Sequence, residues 1–407
     1  MTMAGRAGAD RPLRIHVVAA EESGDALGAA LMRALRRLRP DVAFAGVGGR
    51  GMAAEGIVTP FAIDDLSIVG IGAAARKIPL VLRRIRETAD AIIRAHPDVL
   101  VIIDSPDFTH RVARRVRKAA PNVPIVNYAP PSVWAWRPWR ARAMRRYVDE
   151  VLAILPFEPA AFALLGGPSC TYVGHPLVER IGELRPVAEE ARRRQANPPV
   201  VLVLPGSRGS EIRRLTGTFG AAIARVAQRA GPLDLVLPTL PHIAVQVRAA
   251  TADWPLRPRI VTDADEKHAA FRTARAALAA SGTVTLELAL AEVPMVAAYR
   301  VPRWEAALFR LMTSIKTVIL ANLVLGENVV PEFLQGDCTP ERLAAALVPL
   351  LADSPERRCQ LDAFARLDSI MGIGQQEPSA RAARAVLELI ARRGAAARGA
   401  LPSSTGS

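Results

Sequence analysis

The chain has 407 residues, half of them hydrophobic, which is enough for two domains with sizeable cores and too apolar for a disordered chain. Its formal charge is +14 with a pI of about 10.8, carried by arginine, since only Lys77, Lys118, Lys267 and Lys316 are lysines. That balance fits phosphorylated substrates, an anionic membrane or nucleic acid, while the scattered Cys170, Cys338 and Cys359 exclude a disulfide framework and read as buried, inert thiols of a cytoplasmic protein.

Residues 1–12 lack the apolar core of a signal peptide and read as a disordered tail. No uncharged apolar run approaches the roughly 20 residues of a membrane-spanning helix. Residues 14–19 predict the first strand. Glu21-Glu22-Ser23-Gly24-Asp25 follows it and opens a helix over 26–38, with Leu27, Leu31, Leu35 and Leu38 on one stripe and Ser23 or Asp25 as its cap. A strand over 42–47 leads into Gly46-Val47-Gly48-Gly49-Arg50-Gly51, which lacks dinucleotide spacing and reads as a flexible loop with a role in acceptor binding open to it. Residues 66–85 mix apolar and basic side chains, as an interfacial helix or a core helix would. The strand predicted over 99–103 delivers Asp104-Ser105-Pro106-Asp107-Phe108 to its carboxyl end, where Asp104 is placed either as a general base or as an Asx-turn acid. Strands over 125–128 and 151–155 flank a segment in which Trp134, Trp136 and Trp139 alternate with Arg137, Arg140 and Arg142. Such a cluster stacks bases or sugars, meets a membrane, or packs as structural aromatics.

Gly174-His175-Pro176 closes this half, and the charged stretch 185–199 reads as a linker. The pattern then restarts, with strands predicted over 200–204, 233–237, 259–261, 276–280 and 295–298. Two such halves predict an α/β chain of two doubly wound, Rossmann-like domains facing across a cleft. After residues 200–204, Gly206 permits a tight turn and Ser207 and Arg208 supply donors at a strand's carboxyl end. Ser210 and Glu211 then start a helix, a place suited to phosphate and equally to an ordinary corner. Ser281-Gly282-Thr283 repeats this after 276–280, with Ser281 or Thr283 as cap. Glu287, one turn in, reaches a ribose diol or simply complements the helix dipole. Asp263-Ala264-Asp265 reads as a solvated loop, and the histidine spacing offers no metal site. Residues 304–325 form a second apolar, basic stretch, and 394–407 a disordered tail.

In order along the chain stand E-x-S-G-D (21–25), D-S-P-D-F (104–108), P-S-V-W-A-W-R (131–137), L-P-F-E (155–158), V-G-H-P-L (173–177), L-P-G-S-R-x-S-E-I (204–212) and S-G-T-x-x-L-E (281–287). With Asn322-Leu323 and the run from Val330 to Gln335, this set resembles the lipid-A-disaccharide synthase family. The resemblance implies a GT-B-like fold and an inverting glycosyl transfer that needs neither metal nor cofactor. Its donor would be UDP-2,3-diacylglucosamine, and its acceptor the 6-hydroxyl of 2,3-diacylglucosamine 1-phosphate. The products would be the β-1,6 lipid A disaccharide 1-phosphate and UDP. It implies an acceptor-side domain over 13–185, a donor domain over 186–370 and a helix over 371–393 that packs back on the first domain. Asp104, Glu21 and Arg208 would be catalytic. Gly206, Ser207, Ser281, Gly282, Thr283, Glu287, Asn322 and Gln335 would join Arg208 at the donor, and Ser23, Gly24, Asp25, Ser132 and Trp134 would serve the acceptor.

The chain departs from the family at Ala20, usually glycine, at Gly49-Arg50-Gly51-Met52, and near Ala73, where a glutamate is missing. These departures touch the acceptor-side loop more than the donor site. The expected place of action is the inner face of the inner membrane, peripherally bound; a homodimer is compatible. A UDP-sugar epimerase of similar architecture ranks second. A nucleic-acid binder ranks last, because no recognised module appears and nucleic acid is not expected as a partner.

Overall fold

The computed structural model describes residues 11–66, 71–302 and 317–399. The chain divides into two compact units, Met1–Pro176 with Gln376–Ser407, and Leu177–Gln375. The two apolar, basic stretches fall partly at 67–70 and 303–316, outside the described residues, as do 1–10 and 400–407 of the tails.

In the first unit β1 (Leu13–Ala19), β2 (Val42–Val47), β3 (Val99–Ile103), β4 (Ile125–Tyr128), β5 (Glu150–Ala153) and β6 (Ser169–Tyr172) form one parallel sheet, ordered β2-β1-β3-β4-β5-β6. Alternate side chains explain the layers. Ile15, Val17, Val101 and Ile103 point into one core with Leu27, Leu31 and Leu35 of the helix Glu22–Leu38. Val18, Leu100 and Ile102 point into the other with Val112 and Val116 of the helix Pro106–Ala119. A sheet covered on both faces has strands that are apolar throughout, as β3 is. Leu38, predicted on the buried stripe, is exposed at the helix end. The helix Pro378–Gly399 adds Ala382, Ala383, Val386 and Leu389 to the first of these cores and runs beyond residue 394, where the tail was expected to begin.

In the second unit β7 (Val200–Leu204), β8 (Asp234–Pro238), β9 (Arg259–Val261), β10 (Ala276–Ala280), β11 (Met295–Tyr299) and β12 (Glu332–Leu334) form a second parallel sheet, ordered β12-β11-β10-β7-β8-β9. Val201, Val203 and Leu278 pack against Ile212, Leu215, Phe219 and Ile223 of the helix Gly209–Ala230. Residues 185–199, predicted as a linker, instead hold the helix Ala188–Gln195. Its charges have partners: Glu190 accepts the Val187 N–H at 3.1 Å and the Arg272 Nε at 2.8 Å. The buried Arg194 donates to the carbonyls of Phe271, Arg272, Ala291 and Glu292.

Each sheet therefore reverses its winding once, between β1 and β3 in the first unit and between β7 and β10 in the second. Crevices open at the carboxyl ends of strands at such points, because the following helices leave on opposite faces.

Candidate active site

At the first reversal, Ala19 and Ile103 are register partners, so Glu21 and Asp104 leave neighbouring strand ends. Asp104 and Ser105 have φ of 50° and 41°, a left-handed turn that non-glycine residues rarely adopt. The turn is held from several sides. The Ser105 N–H donates to Asp104 Oδ1 at 2.8 Å, and Thr109 Oγ1 donates to the Asp104 carbonyl at 2.6 Å. Ser23 Oγ donates to Asp104 Oδ2 at 3.0 Å, and Ser105 Oγ donates to Glu21 Oε1 at 2.5 Å. Two carboxylates are thus fixed at one edge by two serines. Gly24 is buried beneath them, and a Cβ there would lie 3.3 Å from that of Ala19.

Neither Ser23 nor Asp25 caps the helix: it begins at Glu22, and both side chains are engaged elsewhere. Asp25 is buried and holds the glycine loop, with Oδ1 accepting the N–H of Gly49 at 2.7 Å and of Met52 at 2.9 Å, and Oδ2 that of Gly51 at 2.7 Å. Gly49 must lack a side chain, since a Cβ would meet Asp25 Oδ2 at 2.8 Å. The expected flexible loop is the pinned N-terminus of a short helix, Arg50–Ala54.

The tryptophan segment is tied down at one point. Trp134 Nε1 donates to Glu158 Oε1 at 3.2 Å, and its ring meets Phe157 edge-on at 5.0 Å. Glu158 also accepts the N–H groups of Ile154 and Leu155, which favours its carboxylate, yet burial dominates and lifts the carboxyl to about 7. Ser132 and Trp139 are exposed on the same segment.

At the second reversal a cleft of about 410 Å³ opens between the ends of β7 and β10. Gly206, Ser207, Arg208, Ser281, Gly282, Thr283 and Glu287 all line it, joined by Lys267 and Tyr299. Gly206 has φ of 116°, and a Cβ would lie 2.3 Å from Glu211 Oε2, so the turn admits only glycine. The buried Glu211 carboxylate takes the Ser207 and Arg208 N–H groups at 3.0 and 3.2 Å, the Arg208 guanidinium at 3.2 Å and the Tyr299 hydroxyl at 3.3 Å. Of the donors that Ser207 and Arg208 supply at this strand end, their two backbone amides are therefore already taken. Among the described residues, the cleft's cations are the exposed Arg208 and Lys267, whose Nζ lies 2.7 Å from Glu287 Oε2. Neither Ser281 nor Thr283 caps the helix Val284–Leu290 through its side chain. Ser281 Oγ faces Glu332 Oε1 at 3.4 Å, and burial raises the Glu332 carboxyl above its ordinary range.

The family model described as lipid-A-disaccharide synthetase matches residues 15–386. The chain is 61% identical over 387 residues to the lipid-A-disaccharide synthase of Nitrobacter hamburgensis, covering 95% of this chain and 98% of that one. It is 59% identical to that of Rhodopseudomonas palustris strain HaA2, over 93% and 96% of the two chains. The chain belongs to the lipid-A-disaccharide synthase family. Among solved structures it is similar to Acinetobacter baumannii MurG (TM-score 0.55, 18% identity, 94% of this chain and 100% of that one). It is also similar to Neisseria meningitidis UDP-GlcNAc 2-epimerase (TM-score 0.57, 11% identity, 93% and 100%). At such identities the likeness is one of fold, and the epimerase reading has no further support.

As a member of the lipid-A-disaccharide synthase family the chain is a glycosyltransferase of lipid A biosynthesis with the GT-B fold. It takes a nucleotide-sugar donor and an acceptor. The structure gathers Glu21, Ser23 and Asp104 at one reversal, and Arg208 with the Ser281 turn at the other. It does not bring Asn322 or Gln335 to the cleft lining. Asn322 is buried and ties its own loop, donating to the Val330 carbonyl at 2.9 Å and accepting the N–H groups of Val329 and Val330. Gln335, with φ of 52°, pairs its amide with the Val301 backbone. Asp263 is a helix cap rather than a solvated loop acid, its Oδ1 accepting the N–H groups of Asp265 and Glu266. Cys359 is exposed, whereas the buried or half-buried Cys338 and Cys170 fit the expectation. The sequence reading missed Lys267, Glu211 and Tyr299. Lysine's rarity was a signal for Lys267, and the third helical position one for Glu211; Tyr299, at a strand end, carried none.

Proposed function

We propose that the chain transfers 2,3-diacylglucosamine from UDP-2,3-diacylglucosamine to the 6-hydroxyl of 2,3-diacylglucosamine 1-phosphate. The observation that carries this reading is the Asp104 turn. A carboxylate at a sheet's winding reversal, oriented by Ser23 and by the Ser105 N–H, is placed to take a proton from a hydroxyl. A sugar hydroxyl is a poor nucleophile until its proton has somewhere to go. Asp104 is the base in this proposal, and Glu21, fixed by Ser105, orients the acceptor sugar with Ser23.

Departure of UDP leaves negative charge on the diphosphate. Arg208 and Lys267 in the cleft supply countercharge, and a preorganised cation stabilises that charge most as it develops. Glu287 keeps one oxygen free of Lys267 for the ribose diol. Attack by the acceptor opposite the departing diphosphate makes the transfer inverting, and the two cations make it independent of metal.

The acylated substrates place the work at the inner face of the inner membrane. No described helix is long and apolar enough to cross a bilayer. Ile78 and Leu82 are exposed on the helix Ile71–Ala95, beside Arg83, which supports an interfacial role for that helix. The test is UDP release measured with each acylated glucosamine alone and with both, with and without chelator. Release only with both, unaffected by chelator, is expected. Abolition by chelator would overturn the metal-free transfer, and release without acceptor the glycosyl transfer itself.

A further inference from the structure

A second concavity, of about 470 Å³, lies in the first unit and is lined by Arg114, Arg117, Lys118, Ala143, Arg146 and Tyr147. Its position separates it from the Asp104 site. The helix Pro106–Ala119 begins beside Asp104 and ends at this concavity, about 20 Å away at 1.5 Å per residue. Arg117 pairs with Asp149, whose Oδ2 accepts the Ile125 N–H at 2.7 Å at the start of β4. The concavity therefore sits at the amino edge of the sheet, opposite the edge that carries Asp104.

Four cations converge there, and Asp149, the partner of Arg117, also serves Arg393. Among the described residues, Arg114, Lys118 and Arg146 have no ion-pair partner. Arg114 is held in place nonetheless. Its guanidinium lies 4.8 Å from the Tyr147 ring centroid and donates to the Tyr147 oxygen at 3.3 Å. The Tyr147 hydroxyl in turn lies 3.0 Å from His110 Nδ1, and burial, the main cause, lowers that imidazole to about 4. A neutral His110 can accept a hydrogen bond from the Tyr147 hydroxyl, which leaves the phenol oxygen free to receive Arg114. A guanidinium fixed by a neutral pair, beside two unpaired cations in a hollow, is arranged for an anion rather than for solvent.

We propose that this concavity is a second anion site, for a phosphate-bearing group with two or more negative charges. Arg114 supplies the oriented fork, and Lys118 and Arg146 supply charge. The ligand is either a free phosphorylated molecule or a phosphate headgroup presented by a lipid surface.

The test titrates inorganic pyrophosphate into the full chain at fixed ionic strength. It separately measures sedimentation with phosphatidylcholine vesicles with and without phosphatidic acid. Wild type is compared with Lys118→Ser/Arg146→Ser, whose altered side chains make no hydrogen bond among the described residues, with Arg114→Ser, and with Arg208→Gln. A binding component weakened about tenfold or more in the first two variants and kept in Arg208→Gln is expected, distinct from a donor-cleft component that Arg208→Gln alone weakens. Loss in the pyrophosphate arm assigns a free ligand, and loss in the vesicle arm alone assigns a headgroup. Binding equal in all variants, lost only in Arg208→Gln, or absent from wild type in both arms overturns the proposal. The outcome is independent of the proposed glycosyl transfer, because no variant at this concavity touches Asp104 or the donor cleft.

Discussion

Replacing Asp25 by alanine strips three backbone N–H groups, those of Gly49, Gly51 and Met52, of their acceptor. Met52 is buried, and its N–H faces the full cost of an unmade bond, about 1–3 kcal/mol. Gly49 and Gly51 are half-buried, so water recovers part of their loss. The sum for Asp25→Ala is about 3–5 kcal/mol. Asp25→Asn keeps an oxygen for Gly49 and Met52 but turns an amide N–H toward that of Gly51, costing about 2 kcal/mol. For a unit of this size, the alanine variant should lower the melting temperature by about 10 °C. Thermal denaturation followed by circular dichroism, with hydrogen exchange at Gly49–Met52, gives both numbers. An alanine variant within about 0.5 kcal/mol of the parent, with the loop amides still protected, would show that Asp25 does not hold this loop.

Glu158 makes stability depend on pH. Its carboxyl is lifted from 4.5 to about 7, so the folded chain holds a proton that the unfolded chain releases between those values. Stability should therefore fall by about 3 kcal/mol as pH rises from 4.5 to 7 and level off above. Glu158→Gln should flatten this slope in urea titrations. Arg194→Leu removes the donor of four carbonyls in the second unit, and a loss of about 3–5 kcal/mol is expected in chemical denaturation. Because Arg194 is buried, added salt should leave that loss unchanged. Gly206→Ala forces a Cβ onto Glu211 in a left-handed turn. It should cost about 1–3 kcal/mol and raise KM for the donor, measured by steady-state kinetics.

Much of the fold was legible because most of the strands announce themselves. Residues 42–47, 99–103, 125–128, 200–204, 259–261 and 276–280 are strands in the structure with the bounds that their apolar runs predict. The missed strands, β6 and β12, are short and lie at sheet edges, where polar residues such as the exposed Ser169 and the half-exposed Glu332 replace an apolar run. The positions of Glu21, Asp104, Arg208 and Ser281 followed from strand ends, which sequence marks well. What the side chains do there did not follow. Asp25, Ser23 and Ser281 all stand where helix caps are common, yet each is claimed by a partner at least 24 residues away. The arginine-rich stretch at 185–199 read as solvated because charge pattern alone does not reveal buried carbonyls waiting for a donor.

Whether Asp104 is the base of a glycosyl transfer is decided by the turnover of Asp104→Asn. Disaccharide formation is followed with both acylated glucosamine substrates saturating, in protein shown by its melting temperature to be folded. Asparagine keeps the shape and an acceptor for Ser23 but cannot take the proton. A kcat lower by at least about 10²-fold is expected. Wild-type turnover in the folded variant would contradict that role of Asp104.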